Sequence, residues 1–143
     1  MRLRGDYMTT SPVLALRQAI RAVLSGDVAL MEALGGRPIF DEAPRHSPTP
    51  YIIFAETQLR DWSCDLSPGA EQFLTLSVIT TQNGTGQALI LAQKLHDRLA
   101  ATPPDMRGHR LIDLSCLATE MKRDLAGRIA KVNLRYRAIS EYL

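Results

Sequence analysis

The sequence predicts an α+β fold: a mostly antiparallel sheet of about five strands with two main helices packed on one face. Three observations lead there. Apolar residues recur at helical spacing in two separate stretches, Val13 to Leu24 and Ala88 to Leu99. Strict alternation marks two others, Phe73 to Thr81 and Ala130 to Ala138. The order helix, three strands, helix, two strands keeps the strands in consecutive runs, which favours hairpins over crossover units.

Ser11 followed by Pro12 reads as an N-cap and a first helical position, and Val13, Leu16, Ile20, Val23 and Leu24 carry an amphipathic helix to Gly26. Asp27 caps a shorter turn through Val28, Leu30, Met31 and Leu34, and the pair Gly35-Gly36 ends it. From Arg37 the period becomes two. Pro38-Ile39-Phe40 reads as a short strand, and Pro44, Pro48 and Pro50 hold the loop Asp41 to Pro50 extended. Tyr51 to Ala55 is a buried strand. A polar loop, Arg60 to Ala70, separates it from the alternating strand Phe73 to Thr81.

Asn83-Gly84-Thr85-Gly86 turns that strand into the second main helix, with Thr85 a possible cap, and Pro103-Pro104 closes the helix. His109 to Met121 is a strand, Arg123 to Gly127 a turn, and the last strand runs through Ser140. In that strand Ala130, Val132, Leu134, Tyr136 and Ala138 share one face, while Lys131, Asn133, Arg135 and Arg137 share the other.

With 143 residues, 45% of them apolar and 22% charged, the chain has the size of one domain, taken as residues 11–143. Residues 1–10 are read as a mobile N-terminal extension. A domain of this length needs neither metal nor disulfides to fold. Cys64 and Cys116 lie in no CxxC or Cys/His spacing and are read as reduced thiols. No apolar run after Arg2 and Arg4 is long enough for a signal peptide or a membrane span, so synthesis is expected in the cytoplasm. A net charge of +2 does not announce nucleic-acid binding through bulk electrostatics.

The search for chemistry is nearly empty. His46, His96 and His109 form no HxH or HExxH pattern and are read as solvated or structural. Asp41-Glu42 is an adjacent acid pair whose side chains diverge on extended chain. Gly84-containing Asn83 to Gly86 lacks the spacing of a phosphate loop. No nucleophile, cofactor site or metal set is readable, and the chain is expected not to be an enzyme.

Two surface features remain. Lys131, Arg135 and Arg137, preceded by Arg128, form a basic stripe. Such a stripe is first a solvated strand face; alternatively it touches DNA phosphates, lines a pore or meets an acidic partner. Trp62, within Arg60-Asp61-Trp62-Ser63, is either tucked onto the domain or an interface anchor.

Taken in order, the N-terminal helix, Pro38-Ile39-Phe40-Asp41 with Pro44, Pro50-Tyr51-Ile52, the alternating strand, the Gly84 turn into the Ala88 to Leu99 helix and the closing Val132-Asn133-Leu134-Arg135-Tyr136-Arg137 resemble the phage tail terminator, or tail completion, family, including its gene transfer agent members. The resemblance spans the chain from about Ser11 onward. It implies a ring, usually a hexamer, that binds the head-proximal end of a finished tail tube, halts tube polymerisation, meets the head connector or stopper and lets DNA pass without sequence recognition. It implies no catalytic residues, and a location in the phage or gene transfer agent particle. Residue chemistry then nominates Arg60, Asp61, Trp62, Arg123 and Asp124 for subunit, tube or connector contacts, and Lys131, Arg135 and Arg137 for the pore or a partner. The competing reading is a small nucleic-acid-binding module using the basic C-terminal strand. It is weakened because that face lacks interleaved aromatics for base stacking.

Overall fold

The computed structural model describes residues 10–63, 68–124, 126 and 128–143. Three helices lie on one face of a four-stranded sheet. Helix α1 (Pro12–Ser25) begins where the Ser11 hydroxyl accepts from the Leu14 N–H at 3.3 Å, with Pro12 at its first position. It buries Ala15, Leu16, Ala19, Ile20 and Leu24. The short helix α2 (Val28–Ala33) is capped by the Asp27 carboxylate, which accepts from the Leu30 N–H at 3.1 Å. The chain leaves it through Gly35 and Gly36, both at positive φ (65° and 79°), where any other residue would be strained.

Strands β1 (Tyr51–Asp61) and β2 (Gly69–Thr81) form a hairpin, followed by a 3-10 turn (Gln82–Gly84) and helix α3 (Thr85–Ala101). Strands β3 (His109–Arg123) and β4 (Ile129–Tyr142) form the second hairpin. The sheet order is β1-β2-β4-β3, antiparallel throughout. The two hairpins therefore meet through β2 and β4, and β1 and β3 are left as edges.

Alternation decides which face is covered. Leu74, Leu76 and Val78 of β2 and Val132, Leu134, Tyr136 and Ala138 of β4 are buried against Leu16, Ile20, Leu24, Ala88, Leu91, Leu95 and Leu99 of the helices. Burying each large aliphatic side chain contributes on the order of 1.5–3 kcal/mol, so this shared layer dominates the stability. Gln72 is a buried polar residue on this face, and its amide donates to the Pro12 carbonyl at 3.0 Å. At the far end of β2, a Cβ on Gly84 would come within 2.9 Å of the Thr80 side chain, so the turn into α3 needs glycine there.

The structure corrects four expectations. The sheet has four strands: Pro38-Ile39-Phe40 makes no ladder, only a single parallel bridge from Phe40 to Ile53. Ile39 is still buried, so its apolar signal marks core contact without strand pairing. Among the described residues the helices number three, because the capped turn after Asp27 closes into α2. The Arg60 to Ala70 loop is shorter than expected, since Arg60 pairs with Glu71 and Asp61 with Ala70. Polar residues on an exposed edge strand look like a loop in sequence. Thr85 is not a cap; it is the first residue of α3, and Gly84 precedes it without a side-chain bond. Residues 1–9 and Cys64 to Ser67 lie outside the described residues, as do Leu125 and Gly127 of the last turn.

Candidate functional site

The chemistry of the molecule is set by three exposed zones: the uncovered sheet face and the two sheet edges. The uncovered face carries the predicted stripe. Lys131, Asn133, Arg135 and Arg137 alternate with the buried positions of β4, as expected from the sequence. Their neighbours change the meaning of the stripe. Arg137 is paired with Glu71 at 2.6 Å, and Arg135 lies over the Phe73 ring at 5.4 Å from its centroid. Lys131 stands directly opposite Lys122 of β3, and Asn133 opposite Glu120. Asn133 accepts from the Ser77 hydroxyl at 2.6 Å. A polar hollow lies between Glu56, Thr75, Ser77, Glu120, Lys122, Lys131 and Arg135. Both signs of charge are thus interleaved. Arg128 lies apart from the stripe in the turn, 3.8 Å from Asp124.

The interface candidates fall at two separate places. Arg60 and Asp61 end the edge strand β1, and Trp62 follows, 46% exposed, its N–H donating to the Gly69 carbonyl at 3.0 Å. The Asp61 carboxylate accepts from the Ser63 hydroxyl at 2.7 Å. Trp62 is therefore half in solvent, between the two alternatives left open by the sequence. Arg123 and Asp124 are at the opposite end of the sheet, on the other edge: Arg123 closes β3, and Asp124 accepts from the Arg128 and Ile129 N–H groups to shape the turn. The structure does not bring these two groups together within one chain.

Sequence reading missed the third zone. Along β3, Leu117 (50% exposed) and Met121 (48%) remain uncovered because α3 stops short of the edge. A groove of about 460 Å³ opens there, lined by Leu89, Gln93 and His96 of α3, Cys116, Leu117 and Thr119 of β3, and Leu134 beneath. Leu59 is likewise 46% exposed on the β1 edge. A signal for these positions was present as apolar residues amid charged ones, but which strand ends outermost is decided by long-range pairing.

The histidines fall apart from one another. His46 is exposed in the proline loop at φ 58°. His96 Nδ1 lies 3.1 Å from the Tyr136 hydroxyl, and buried His109 holds Nε2 2.8 Å from the Thr10 carbonyl. Burial pushes the Tyr136 phenol well above its ordinary pKa, and the nearby acidic groups Cys116 and Asp97 push it the same way. Asp41 pairs with Arg21 at 2.9 Å and Arg17 at 3.3 Å, clamping the proline loop to α1; the Arg21 hydrogen bond is the main cause of its lowered pKa. Among the described residues, no group of three His, Cys, Asp or Glu side chains is placed to hold a metal ion, and no helix is long and apolar enough to cross a membrane. Cys116 is a half-buried free thiol.

The architecture is shared with a virion component. A chain from the solved virion of a native gene transfer agent particle superposes with a TM-score of 0.81 at 25% sequence identity, over 93% of this chain and 99% of that one. No curated protein matches the sequence significantly. The model of the family described as tail completion protein gp17 matches residues 18–141, and the chain belongs to that family. It is a structural protein of a phage-type tail.

Proposed function

We infer that this chain forms a closed ring, a hexamer, at the head-proximal end of a phage or gene transfer agent tail tube. The ring ends tube polymerisation, joins the tail to the head connector and leaves a channel for DNA. The observation that carries this reading is the pair of open edges. In four alternating strands ordered β1-β2-β4-β3, the outermost two run in opposite directions. One copy's β1 can thus continue the next copy's β3 as another antiparallel pair. Such a contact is heterologous, and heterologous contacts close into rings when the rotation between copies permits. Residues 11–143 act in it as one domain, with residues 1–10 an extension.

In this reading Arg60, Asp61, Trp62, Arg123 and Asp124 serve contacts with neighbouring copies, the tail tube protein or the connector. The face bearing Lys131, Arg135 and Arg137 is turned to the channel. Its charge suits passage better than binding. Basic Lys122, Lys131, Arg135 and Arg137 are interleaved with acidic Glu56, Glu71, Asp113 and Glu120. A uniformly basic lumen would hold phosphates through counterion release and slow the DNA. No catalytic step, cofactor or membrane contact is part of the reading.

The test is tube growth. Tail tube protein polymerising in the presence of this protein should give tubes whose lengths stop increasing and whose ends carry a ring by negative-stain electron microscopy. Tubes that lengthen unchecked and bare-ended at excess protein would overturn the reading.

A further inference from the structure

The ring reading leaves open which residues join copy to copy, and the two edges carry enough detail to assign them. We propose that residues 57–62 of one copy pair antiparallel with residues 118–123 of the next in a single register. Leu59 then meets Met121, Arg60 meets Glu120, and Trp62 meets Ala118. This rests on the ring reading and names its interface.

The lengths of free edge agree. On β1 the outer edge is already taken near its start: the Phe40 N–H donates to the Ile52 carbonyl at 2.9 Å, and the Phe54 N–H to the Phe40 carbonyl at 2.8 Å. A register irregularity between Phe54 and Thr57 follows, and from Thr57 the ladder with β2 is regular through Asp61. On β3 an irregularity between Cys116 and Ala118 breaks the ladder, which is then regular from Ala118 to Arg123. β3 carries a second irregularity between Leu111 and Asp113, so Ala118 to Arg123 is its longest regular run, six residues that match the length of the free segment on β1. Bulges are a common device for ending strand pairing, and here they bound both segments.

Side-chain chemistry fixes the register. Leu59 pairs in its own sheet with Gln72, whose side chain reaches α1, so Leu59 belongs to the helix-covered face. Met121 pairs with buried Val132 and belongs to the same face. Joining the two covers two exposed apolar side chains. On the open face Arg60 comes opposite Glu120, Gln58 opposite Lys122, and Glu56 diagonal to Lys122, so opposite charges face each other. Trp62, the largest side chain of one segment, falls opposite Ala118, the smallest of the other. A slip of two residues one way sets Arg60 against Lys122. Two the other way leaves Glu120 opposite Gln58 and Leu59 opposite Thr119. A slip of one puts Leu59 against a charged residue and turns the neighbour's helices to the wrong face.

The register also staggers the copies. Within one sheet Leu59 aligns through Gln72 and Ala138 with Leu114, seven residues along β3 from Met121. Closing a sheet around an axis requires a stagger of this kind, because the strands tilt against the axis.

Sedimentation velocity on the full-length protein over a concentration series tests the interface by charge exchange. Glu120→Arg alone, or Arg60→Glu alone, should raise the concentration for half-assembly by roughly tenfold. The double variant Arg60→Glu/Glu120→Arg should restore it. Mixing the two single variants should restore it as well, because alternating copies then present opposite charges at every joint. Far-UV circular dichroism confirms that each variant is folded; both side chains are exposed. Rings that form equally well in all variants overturn the interface and leave the ring reading standing. Single variants that fail and are rescued by neither the double variant nor mixing overturn the register. A wild-type chain that stays monomeric at every concentration overturns both.

Discussion

The two faces of strand β4 are built from the same alternating residues and behave in opposite ways. Val132, Leu134, Tyr136 and Ala138 are sealed beneath the helices, while Lys131, Asn133, Arg135 and Arg137 lie under no other layer among the described residues. On the covered face each side chain is fixed by packing, so substitution acts on folding. On the open face Arg137 pairs with Glu71, Arg135 lies over Phe73, Asn133 accepts from Ser77 and Lys131 stands opposite Lys122, so substitution leaves the fold and changes what the surface meets. Folding and surface chemistry are thereby separated on one strand, and variants can probe either alone.

The largest effect is expected on the covered face. Leu76→Ala, at a fully buried position beneath the helices, should cost about 2–5 kcal/mol in urea unfolding, through lost burial and the cavity left behind. A loss as small as that of a surface substitution would mean that the two faces are not distinct.

Next comes the polar contact within that layer. Tyr136→Phe removes the hydroxyl facing His96 and should cost about 1 kcal/mol at neutral pH. Its pH signature is sharper. The folded-state pKa of Tyr136 is raised, so the stability tied to its protonated form is complete below the unfolded value of about 10 and is lost as pH rises above it. Chemical unfolding at a series of alkaline pH values should show a steeper decline for the wild type than for Tyr136→Phe; parallel curves would contradict the burial of this phenol.

At the rim, Asp41→Asn loosens the clamp on the proline loop. Asp41 is 58% exposed, so solvent screens its ion pairs and the expected cost is under about 1 kcal/mol. Its folded-state pKa is lowered from 3.8, so its contribution is present above that value and fades as pH falls through and below it. The variant should therefore flatten the acid side of the stability profile, as measured by thermal unfolding between neutral pH and the acid range.

The smallest effect belongs to the open face. Lys131→Glu should change stability by no more than about 0.5 kcal/mol, in the stabilising direction, because Lys122 stands directly opposite. The same substitution alters the proposed channel surface. Thermal unfolding reads the first expectation, and DNA delivery by assembled particles reads the second.

The same contrast explains how far the sequence could be read. The Ser11-Pro12 entry, the α3 stripe and the β4 alternation are local signals, and each appears where the pattern placed it. Pro38-Ile39-Phe40 failed because an apolar triplet reports burial, and only Phe40 found a backbone partner. The second half of β1 failed for the converse reason: Glu56 to Asp61 is polar but for Leu59, largely exposed and still strand. Of the proposed contact surface, Arg60, Asp61 and Trp62 were legible as unusual chemistry in a supposed loop. Leu59, Glu120 and Met121 were not, because their importance comes from β1 and β3 being the outermost strands, a property of the whole sheet. Edges are the least local feature of a sheet, and here they are where assembly is expected to occur.

The most direct test of the ring itself is the mass of the purified wild-type protein by light scattering across a concentration series, with negative-stain imaging of the largest species. The account predicts a step from the 15.9 kDa chain to one closed species of about six copies, seen as uniform rings. A mass that stays at one chain throughout, or grows without limit into filaments, would contradict it.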